Sequence, residues 1–551
     1  MISKVVIRNF KRFDKVAFDI PGHIVLAGPN NTGKTTLLQA IAAWDLAFRK
    51  WSELNDFQRH GGAYTYAPIA RQAFAAVPLR QFDLLWTERK THGPIEIEVS
   101  HSEGWRVAME IHHDTTEQIK VRPRKDIEPY FLNGIKLSTV FIPPMTGLST
   151  QEPLYGRQEY LDSTIGQGKP GEVLRNLLVQ AKHNEQAWQA LQNAIQRLFG
   201  YELLPPDEKG TYIIAEYQAV KNGPRFDIAS AGSGFQQVLM LLTFLNTRPG
   251  SVLLLDEPDA HLHVILQDAI YGELRSVAME KHSQLIIATH SEVIIDSVEP
   301  RELFAMFDGP RPIADSKERT NLIRSLSILS NVDIMMAQNA PGILYAEGHT
   351  DIAILREWAR ILKHKSYDLL TKSLFWKPTV WESRLGASGV QAREHYDALQ
   401  LVKPGIPGLR LLDGDDRPEM TETPITGSGL QRIRWKRYEI ESYLIHPAAL
   451  RRFVENQVGK DAAAPHLADL DKYFEANFPP PFIENPLSDP AFLISTKARV
   501  DLIPPALEAA GLFNIPYTKY SEIAALMLPV EIHPEIKEKL DAICKAFGIP
   551  L

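Results

Sequence analysis

The chain has 551 residues, 44% of them hydrophobic, which is enough for two or three domains that each bury a core. Its 60 Lys and Arg against 67 Asp and Glu leave a net charge of −7, which excludes a surface that is basic throughout but not a local groove for nucleic acid. The single cysteine, Cys544, excludes an intrachain disulfide and a cysteine metal cluster. We expect a cytoplasmic protein without a signal peptide or membrane span, because no apolar run is long enough for either.

The first predicted elements are a β-hairpin, a buried strand and a helix. KVVIRNF and KVAFDI alternate apolar and polar residues like paired strands, HIVLAG is a short apolar strand, and KTTLLQAIAAWDLAFRKW has helical spacing. PIEIEVS and WRVAMEIHH predict a second strand pair, and GEVLRNLLVQAKHNEQAWQALQNAIQRLFG predicts a helical stretch. SVLLLDEP and SQLIIATH have the unbroken apolar character of strands buried in a parallel sheet.

A glycine-rich loop joins HIVLAG to the first helix. It reads GPNNTGKTT and fits G-x-x-x-x-G-K-[ST] in the strand–loop–helix context that this motif requires. In such a loop the backbone N–H groups surround the phosphates, the lysine reaches the β- and γ-phosphate oxygens, and the threonine holds Mg²⁺. The predicted nucleotide-binding residues are Gly28, Asn30, Asn31, Thr32, Gly33, Lys34, Thr35 and Thr36.

Three later segments supply partners for this loop. Asp256 ends a strand in VLLLDEPDAHLH, where it can hold the metal, and Glu257 is then placed to activate the attacking water. IIATHS ends a further strand and puts His290 near the γ-phosphate. SAGSGFQQ puts Ser233 and Gly234 at the start of an apolar helix, whose N-terminus favours anions, although a flexible turn explains this segment equally well.

In this order the four motifs resemble those of an ABC-type ATPase, and the opening ISKVVIRNFKRF is similar to the start of the RecF and SMC-like branch. The resemblance covers residues 1–335 and implies a head-to-tail dimer in which the Ser233 loop of one chain completes the ATP site of the other. The loop departs from the family's L-S-G-G-Q pattern, because alanine and glycine precede Ser233 and Phe235 interrupts the pattern. That departure leaves the donor open, and Gln81 is the candidate for the family's Q-loop glutamine.

Acidic residues mark a second α/β unit. The predicted strand GILYAEG ends in a glutamate, the helix TDIAILREWARIL begins with an aspartate in its first turn, GLRLLDGDD ends in an Asp-x-Asp pair, and KRYEIESYL adds two glutamates. Converging carboxylates repel one another unless cations offset their charge, and ligands that are all oxygen select Mg²⁺ or Mn²⁺. Each motif alone is also explained by a helix cap or a surface turn. The predicted metal ligands are Glu347, Asp351, Asp413, Asp415, Glu439 and Glu441.

The glutamate on a first strand and the Asp-x-Asp on a later one resemble a Toprim domain, which occurs in topoisomerases, primases and nucleases. An ABC-type ATPase followed by Toprim resembles the OLD (overcoming lysogenization defect) family, which includes the Gabija nuclease subunit, and is similar to retron- or PARIS-type defence effectors. The resemblance implies an α/β fold in three parts. These are an ABC-type ATPase domain at 1–335, a Toprim nuclease domain at 338–450, and a mostly helical extension at 451–551 that completes the Toprim region.

In that family the carboxylates form a two-metal nuclease site. The resemblance assigns Glu347, Asp351, Asp413 and Asp415 to it, together with one acid of EIESYL, for which Glu441 is preferred to Glu439. It also implies a later lysine, and Lys497 in STKARVDL is the candidate. The cluster RIRWKRY predicts a phosphate contact, with a solvated run of charges as the alternative.

The leading hypothesis is therefore a metal-dependent endonuclease, cutting DNA, that is gated by an ABC-type ATPase dimer in anti-phage defence. ATP and Mg²⁺ or Mn²⁺ are its expected cofactors, and nucleic acid, a homodimer or higher even-numbered oligomer, and a second protein or RNA component of a defence system are its expected partners. One alternative is a toxin that cleaves tRNA with the same site. The other is a DNA-binding ATPase sensor or clamp with an inactive Toprim domain.

Overall fold

The computed structural model describes residues 1–74, 77, 79–135, 137–144, 147–166, 169–220, 222–260, 262–307, 309–379, 390–415 and 422–550. The chain divides into two compact units, Met1–Leu326 and Ser327–Leu551. The division at Leu326 precedes the boundary that we placed at residues 335–338. None of the helices in these described ranges combines the length and the apolar character that crossing a membrane requires.

The N-terminal unit is a mixed α/β structure. Its described strands are β1 (Ile2–Phe10), β2 (Phe13–Asp19), β3 (Ile24–Ala27), β4 (Ala67–Ala70), β5 (Ile95–His101), β6 (Arg106–His113), β7 (Gln118–Pro123), β8 (Thr139–Ile142), β9 (Glu202–Leu203), β10 (Glu216–Gln218), β11 (Phe226–Asp227), β12 (Val252–Asp256), β13 (Gln284–Thr289), β14 (Leu303–Met306) and β15 (Pro310–Pro312). Its described helices are α1 (Lys34–Ser52), α2 (Pro129–Leu132), α3 (Gln158–Gly166), α4 (Leu174–Lys182), α5 (Glu185–Phe199), α6 (Ser233–Thr247), α7 (Val264–Glu280), α8 (Glu292–Ser297) and α9 (Ser316–Ile328).

Two six-stranded sheets enclose α1. One is antiparallel, in the order β2-β1-β5-β6-β7-β4, and the other has the order β15-β14-β3-β13-β12-β8. In the second sheet all neighbouring strands are parallel except β15, which pairs antiparallel with β14. Helix α1 packs on strands of both sheets, because its sequence is apolar on nearly every side, and Trp44 at its middle is buried and donates to the Val107 carbonyl across 3.0 Å.

The strands that the alternation and apolar runs predict are present, and so is the predicted helical stretch. It forms two helices, α4 and α5, because the side chain of Asn184 accepts a hydrogen bond from the Ala187 N–H across 3.2 Å and caps a new helix. The position of the nucleotide motifs follows from the parallel sheet. The carboxyl ends of β3, β12 and β13 meet at one edge, so the segments after them come together.

The C-terminal unit is built on a four-stranded parallel sheet in the order β17-β16-β18-β19. Its described strands are β16 (Ile343–Ala346), β17 (Phe375–Pro378), β18 (Gly408–Leu412) and β19 (Leu430–Arg434). Its described helices are α10 (Asn331–Asn339), α11 (His349–Ile361), α12 (Ser366–Asp368), α13 (Ala392–Val402), α14 (Pro447–Val458), α15 (Ala463–Asn477), α16 (Pro480–Glu484), α17 (Ala491–Ser495), α18 (Ile503–Ala509), α19 (Tyr520–Ala525) and α20 (Pro534–Ala546).

The sheet and the C-terminal helices share one hydrophobic core. Leu344 on β16, Trp358 on α11 and Leu540 on α20 belong to the same buried cluster. The packing is close at Gly342, where an added Cβ would lie 2.2 Å from the Phe547 ring. The helices after residue 446 are therefore part of the unit that carries the predicted carboxylates.

Candidate nucleotide site and carboxylate site

The loop between β3 and α1 has the backbone of a phosphate-binding loop. Asn31 and Gly33 adopt left-handed φ angles of 64° and 102°. A side chain at Gly33 would overlap Phe13, whose Cζ would lie 2.7 Å from the added Cβ. Thr32 donates its hydroxyl to the Pro29 carbonyl across 2.9 Å. These contacts hold the turn that brings the free N–H groups at the start of α1 to the loop.

Lys34 lies inside this loop. Its Nζ donates to the carbonyls of Gly28 and Pro29 across 2.5 and 2.8 Å, and its side chain is buried. Burial lowers the pKa of Lys34, and the nearby carboxylates of Glu257 and Asp256 oppose that shift. Two neutral carbonyl oxygens thus accept hydrogen bonds from the ammonium group, at the position where the motif requires phosphate oxygens.

Thr35 and Asp256 meet at the edge of the sheet. The Thr35 hydroxyl lies 3.0 and 2.8 Å from the two carboxylate oxygens of Asp256 at the end of β12. Burial raises the pKa of Asp256 to about 6, with a further increase from Glu257 that the Thr35 hydrogen bond opposes. A hydroxyl and a carboxylate this close can share the Mg²⁺ of Mg-ATP, so these residues fit that ion.

Glu257 and His290 also come together. Glu257 has a left-handed φ of 49°, and its N–H donates to the Ala288 carbonyl across 2.8 Å. Its Oε1 lies 3.3 Å from His290 Nδ1, and the His290 side chain is half exposed. The structure therefore brings the predicted base and the predicted histidine to the same edge of the sheet as Asp256.

A hydrogen-bond network behind His290 was not predicted. Thr289 donates its hydroxyl to buried Asp259 across 2.7 Å and accepts from the Ser291 N–H across 2.9 Å. Ser291 in turn donates to Gln267 across 2.7 Å. The network joins the segments after β12 and β13. The spacing D-E-P-D in the sequence was a signal for Asp259, but only the fold shows which residue it meets.

The departure from L-S-G-G-Q has a packing explanation. Phe235 is buried and its ring lies 5.2 Å from that of Phe199 and 5.1 Å from that of Tyr217, while Gln236 donates to two carbonyls of the preceding turn across 3.0 and 2.9 Å. Ser233 begins α6 and is exposed, with Gly234 beside it. The aromatic contact anchors the start of the helix and leaves Ser233 at the surface. Its role in a dimer stays a prediction.

The carboxylate site begins where β16 passes into α11. Asp351 accepts hydrogen bonds from the N–H groups of Glu347 and Gly348 across 3.0 and 3.3 Å, so it caps the helix as the alternative interpretation proposed. It is also buried, and burial together with the Glu347 carboxylate raises its pKa to about 6. The cap therefore orients an acid that is costly to ionise.

Asp413 joins this pair from the end of β18. Burial raises the pKa of Asp413 well above its usual range, and the carboxylates of Glu347, Asp351 and Glu441 add to the shift. Asp413 and Glu347 also share a hydrogen bond. Gly414 lies directly against the backbone of residues 435–437, because an added Cβ would lie 2.1 Å from the Arg437 carbonyl oxygen.

Asp415 has a different partner. Its Oδ1 lies 3.8 Å from Arg434 Nη2, and Arg434 Nε donates to the Asp413 carbonyl across 3.0 Å. Arg434, at the end of β19, thus contacts both aspartates of the Asp-x-Asp loop. Whether Asp415 is a ligand remains a prediction.

Glu439 immediately precedes the short 3₁₀ helix Ile440–Leu444, and Glu441 lies within it. Both residues are buried. Burial raises the pKa of Glu441 to about 8, with contributions from Glu439 and Asp351. Glu439 accepts a hydrogen bond from the Arg499 N–H across 2.6 Å. The structure therefore brings Glu347, Asp351, Asp413 and Glu441 into electrostatic contact, with Glu439 beside them.

The ligand type of these residues fits a hard divalent cation, but their side chains are not arranged as a metal site. The donor atoms are all carboxylate oxygens, and burial and the neighbouring carboxylates raise the pKa values of Asp351, Asp413 and Glu441. Across the described ranges, no three His, Cys, Asp or Glu side chains stand as a formed metal site.

Two predictions about basic residues have different outcomes. Trp435 and Arg437 are buried, and Arg437 donates to Asp489 and to the Ser488 carbonyl across 2.9 and 2.6 Å, so their assignment to a phosphate-binding surface is wrong. Both were misassigned because charge density in RIRWKRY says nothing about burial. Lys497 is exposed and precedes the π-helical turn Ala498–Leu502, and its role stays a prediction.

One family of known proteins matches part of the N-terminal unit. Residues 122–296 match the family described as "AAA domain, putative AbiEii toxin, Type IV TA system". This segment runs from the end of β7 into α8 and contains Asp256, Glu257 and His290. The N-terminal unit therefore contains an ATPase-type domain. No curated protein matches the sequence.

The solved structures that are similar to part of this chain include three SMC head domains. One, with an extended coiled coil and bound to the C-terminal domain of ScpA from Pyrococcus furiosus, is 13% identical, with 59% of this chain and 99% of that chain covered and a TM-score of 0.36. An SMC head bound to the C-terminal winged-helix domain of ScpA is 16% identical, with 58% and 99% covered and a TM-score of 0.36. The SMC head domain from Thermotoga maritima is 13% identical, with 57% and 99% covered and a TM-score of 0.31.

Proposed function

We propose that the chain is an ATP-gated, metal-dependent nuclease of the OLD type. Its N-terminal unit hydrolyses ATP, and the carboxylate site of its Toprim-like C-terminal unit cleaves phosphodiester bonds, with DNA as the substrate. The observation that carries the second part is the meeting of Glu347, Asp351, Asp413 and Glu441 from separate segments. Asp351 and Glu441 are buried, and burying like charges together destabilises a fold, so a purely structural role does not account for them.

In the ATPase reaction, each residue of the nucleotide site contacts a different part of the reactants or orients a residue that does. Lys34 exchanges its carbonyl acceptors for phosphate oxygens, and Thr35 and Asp256 hold the Mg²⁺ of Mg-ATP. Glu257 accepts the proton of the attacking water, and His290 at 3.3 Å orients its carboxylate.

In the nuclease reaction, the carboxylates must first lose protons. Burial and the neighbouring carboxylates favour the protonated form of Asp413, and loss of that proton frees its oxygens for ligation. The Glu347 and Gly348 N–H groups keep Asp351 oriented, and the Arg499 N–H does the same for Glu439. Divalent cations bound there supply activation of a water and stabilisation of the leaving oxygen.

The biological setting is the part of the proposal that depends most on the resemblance. We place the protein in the cytoplasm as a homodimer or higher even-numbered oligomer that acts in anti-phage defence, with a second protein or RNA component. The head-to-tail arrangement would bring the exposed Ser233 of one chain to the ATP of the other.

A tRNA-cleaving toxin is the second candidate. The description of the matching family names a toxin and a type IV toxin–antitoxin system, and carboxylate ligands do not distinguish DNA from RNA. An ATPase sensor or clamp whose carboxylate site is inactive is the remaining alternative.

A substrate panel separates these functions. Purified protein is incubated with plasmid, linear duplex DNA, single-stranded DNA and bulk tRNA, in Mg²⁺ or Mn²⁺, with and without ATP, beside an Asp413→Ala/Asp415→Ala control. Cutting of DNA that the control lacks supports the proposal, and cutting of tRNA alone supports the toxin. ATP hydrolysis without cutting of any substrate supports the sensor.

A further inference from the structure

Arg499 borders the carboxylate site through its backbone. It lies in the π-helical turn Ala498–Leu502, and its N–H donates to Glu439 Oε1 across 2.6 Å. Its carbonyl oxygen accepts a hydrogen bond from the Tyr520 hydroxyl across 3.4 Å. Two contacts from different parts of the unit thus fix the position of Arg499 beside Glu439.

The side chain of Arg499 leads towards α11. Its guanidinium carbon lies 5.5 Å from the centre of the Tyr517 ring, within cation–π distance. The Tyr517 ring lies 6.4 Å from that of His349, the first residue of the helix that carries Asp351. Arg499 therefore lies between the Glu439 turn and the start of α11, where two groups of predicted ligands are found.

The guanidinium is near the carboxylates without pairing with them. Burial alone would lower the pKa of Arg499, but the carboxylates of Glu441, Glu439, Asp413 and Asp351 outweigh it and raise that pKa. Among the residues that the structure describes, however, no carboxylate oxygen comes within 4.0 Å of its guanidinium nitrogens in a salt bridge. These four carboxylates therefore leave the guanidinium N–H groups of Arg499 available as hydrogen-bond donors.

We propose that Arg499 donates hydrogen bonds to a non-bridging oxygen of the phosphate that nucleic acid places at the carboxylate site, an assignment that rests on the proposed function. A phosphodiester is repelled by a site made of carboxylates, and a fixed positive charge beside that site offsets the repulsion. A guanidinium also presents parallel N–H donors that match two phosphate oxygens. Lys497, which is exposed, offers only a point charge.

The test is the salt dependence of nucleic-acid binding by the full chain. A labelled DNA duplex and the matching single strand are titrated by fluorescence anisotropy, with Ca²⁺ in place of Mg²⁺ and at several salt concentrations. Arg499→Met keeps a long unbranched side chain without the charge, and Arg499→Gln is a second neutral variant in case the first folds poorly. Arg499→Lys keeps the charge. Lys472→Ala removes the same charge from an exposed pair with Asp469 and is the control.

We expect the neutral variants to bind about tenfold more weakly and to lower the slope of log affinity against log salt by about one. Arg499→Lys keeps the slope, and Lys472→Ala changes neither quantity. Wild-type slope in both neutral variants, or a wild-type chain that binds neither probe, overturns the assignment. Cleavage in Mg²⁺ is measured separately. A wild-type chain that binds through Arg499 but leaves DNA intact contradicts the nuclease proposal and not the phosphate contact.

Discussion

The hydroxyl of Thr35 donates a hydrogen bond to Asp256 Oδ2 across 2.8 Å. Thr35 follows β3, and Asp256 ends β12. In the sheet, β13 lies between these two strands. Residues more than two hundred positions apart thus meet at the edge of the sheet where we propose that they hold a nucleotide-bound Mg²⁺.

Replacement of Lys34 tests the nucleotide site. Lys34→Met keeps the buried aliphatic chain but removes the ammonium group that phosphate oxygens require. We expect ATP to bind at least about tenfold more weakly, because a charge-assisted hydrogen bond is worth roughly 1.5–3 kcal/mol. Calorimetric titration with ATP measures this. Lys50→Met, at the exposed far end of α1, is the matched control, and equal ATP affinity in the two variants contradicts the assignment.

Glu257→Gln separates ATP binding from hydrolysis. The amide has the shape of the carboxylate but cannot accept the proton of the attacking water, so turnover should fall about 100-fold or more while ATP affinity is retained. Phosphate release and nucleotide binding are measured on the same preparation. If the variant hydrolyses ATP at the wild-type rate, Glu257 is not the general base.

The pKa shifts predict how stability depends on pH. Asp351 and Glu441 have folded pKa values of about 6 and about 8, above their ordinary values, so the folded chain keeps protons that the unfolded chain has released. Stability in EDTA should therefore fall as pH rises from about 4 to about 8. Glu441→Gln should make this dependence shallower. Midpoints of thermal unfolding measure both effects, and a stability in EDTA that rises through this window contradicts the shifts.

Mg²⁺ should reverse that loss. Ligation requires deprotonated carboxylates, so the increase in the unfolding midpoint on adding Mg²⁺ should be larger at pH 8 than at pH 6. Mg²⁺ and ATP are added separately, so that the effect at the nucleotide site is measured by itself. A Mg²⁺ effect of the same size at both pH values is the result that our account does not allow.

A buried ion pair offers a test of the C-terminal fold that is independent of either site. Lys377 on β17 lies 2.6 Å from Asp333 on α10, which is almost fully buried. Burial opposes ionisation, but His395, Lys377 and Ser330 together hold the pKa of Asp333 well below its usual range. Lys377→Met should lower the free energy of unfolding by about 3 kcal/mol, because it leaves a buried charge with fewer partners.

Denaturant unfolding measures this loss. The double variant Lys377→Met/Asp333→Asn is the control and should recover part of the stability, because it removes the uncompensated charge as well. A single variant as stable as the wild type shows that the pair contributes nothing.

The parts of the fold that sequence predicts well are local. The phosphate loop, the strands that precede Asp256 and Glu347, and the helix cap at Asp351 each follow from a short pattern of glycine, apolar or acidic residues. The meeting of Glu347 with Asp413 was also predictable, because the carboxyl ends of parallel strands share an edge.

The remainder depends on contacts between distant segments. No pattern near Phe235 shows that it fills an aromatic cluster, and RIRWKRY does not show that Trp435 and Arg437 are buried. The sequence does not single out Arg499, because only the fold brings its N–H to Glu439.

Cleavage of one labelled DNA duplex by wild-type protein and by Asp413→Asn, with ATP hydrolysis measured in the same samples, tests the central claim most directly. The substituted amide has the shape of the aspartate carboxylate and lacks its charge. We predict that the wild type cuts the duplex in Mg²⁺, and that the variant loses cutting while it hydrolyses ATP at the wild-type rate. Equal cutting by both proteins, or ATP hydrolysis by a wild type that leaves every strand intact, contradicts the assignment of a nuclease to the carboxylate site.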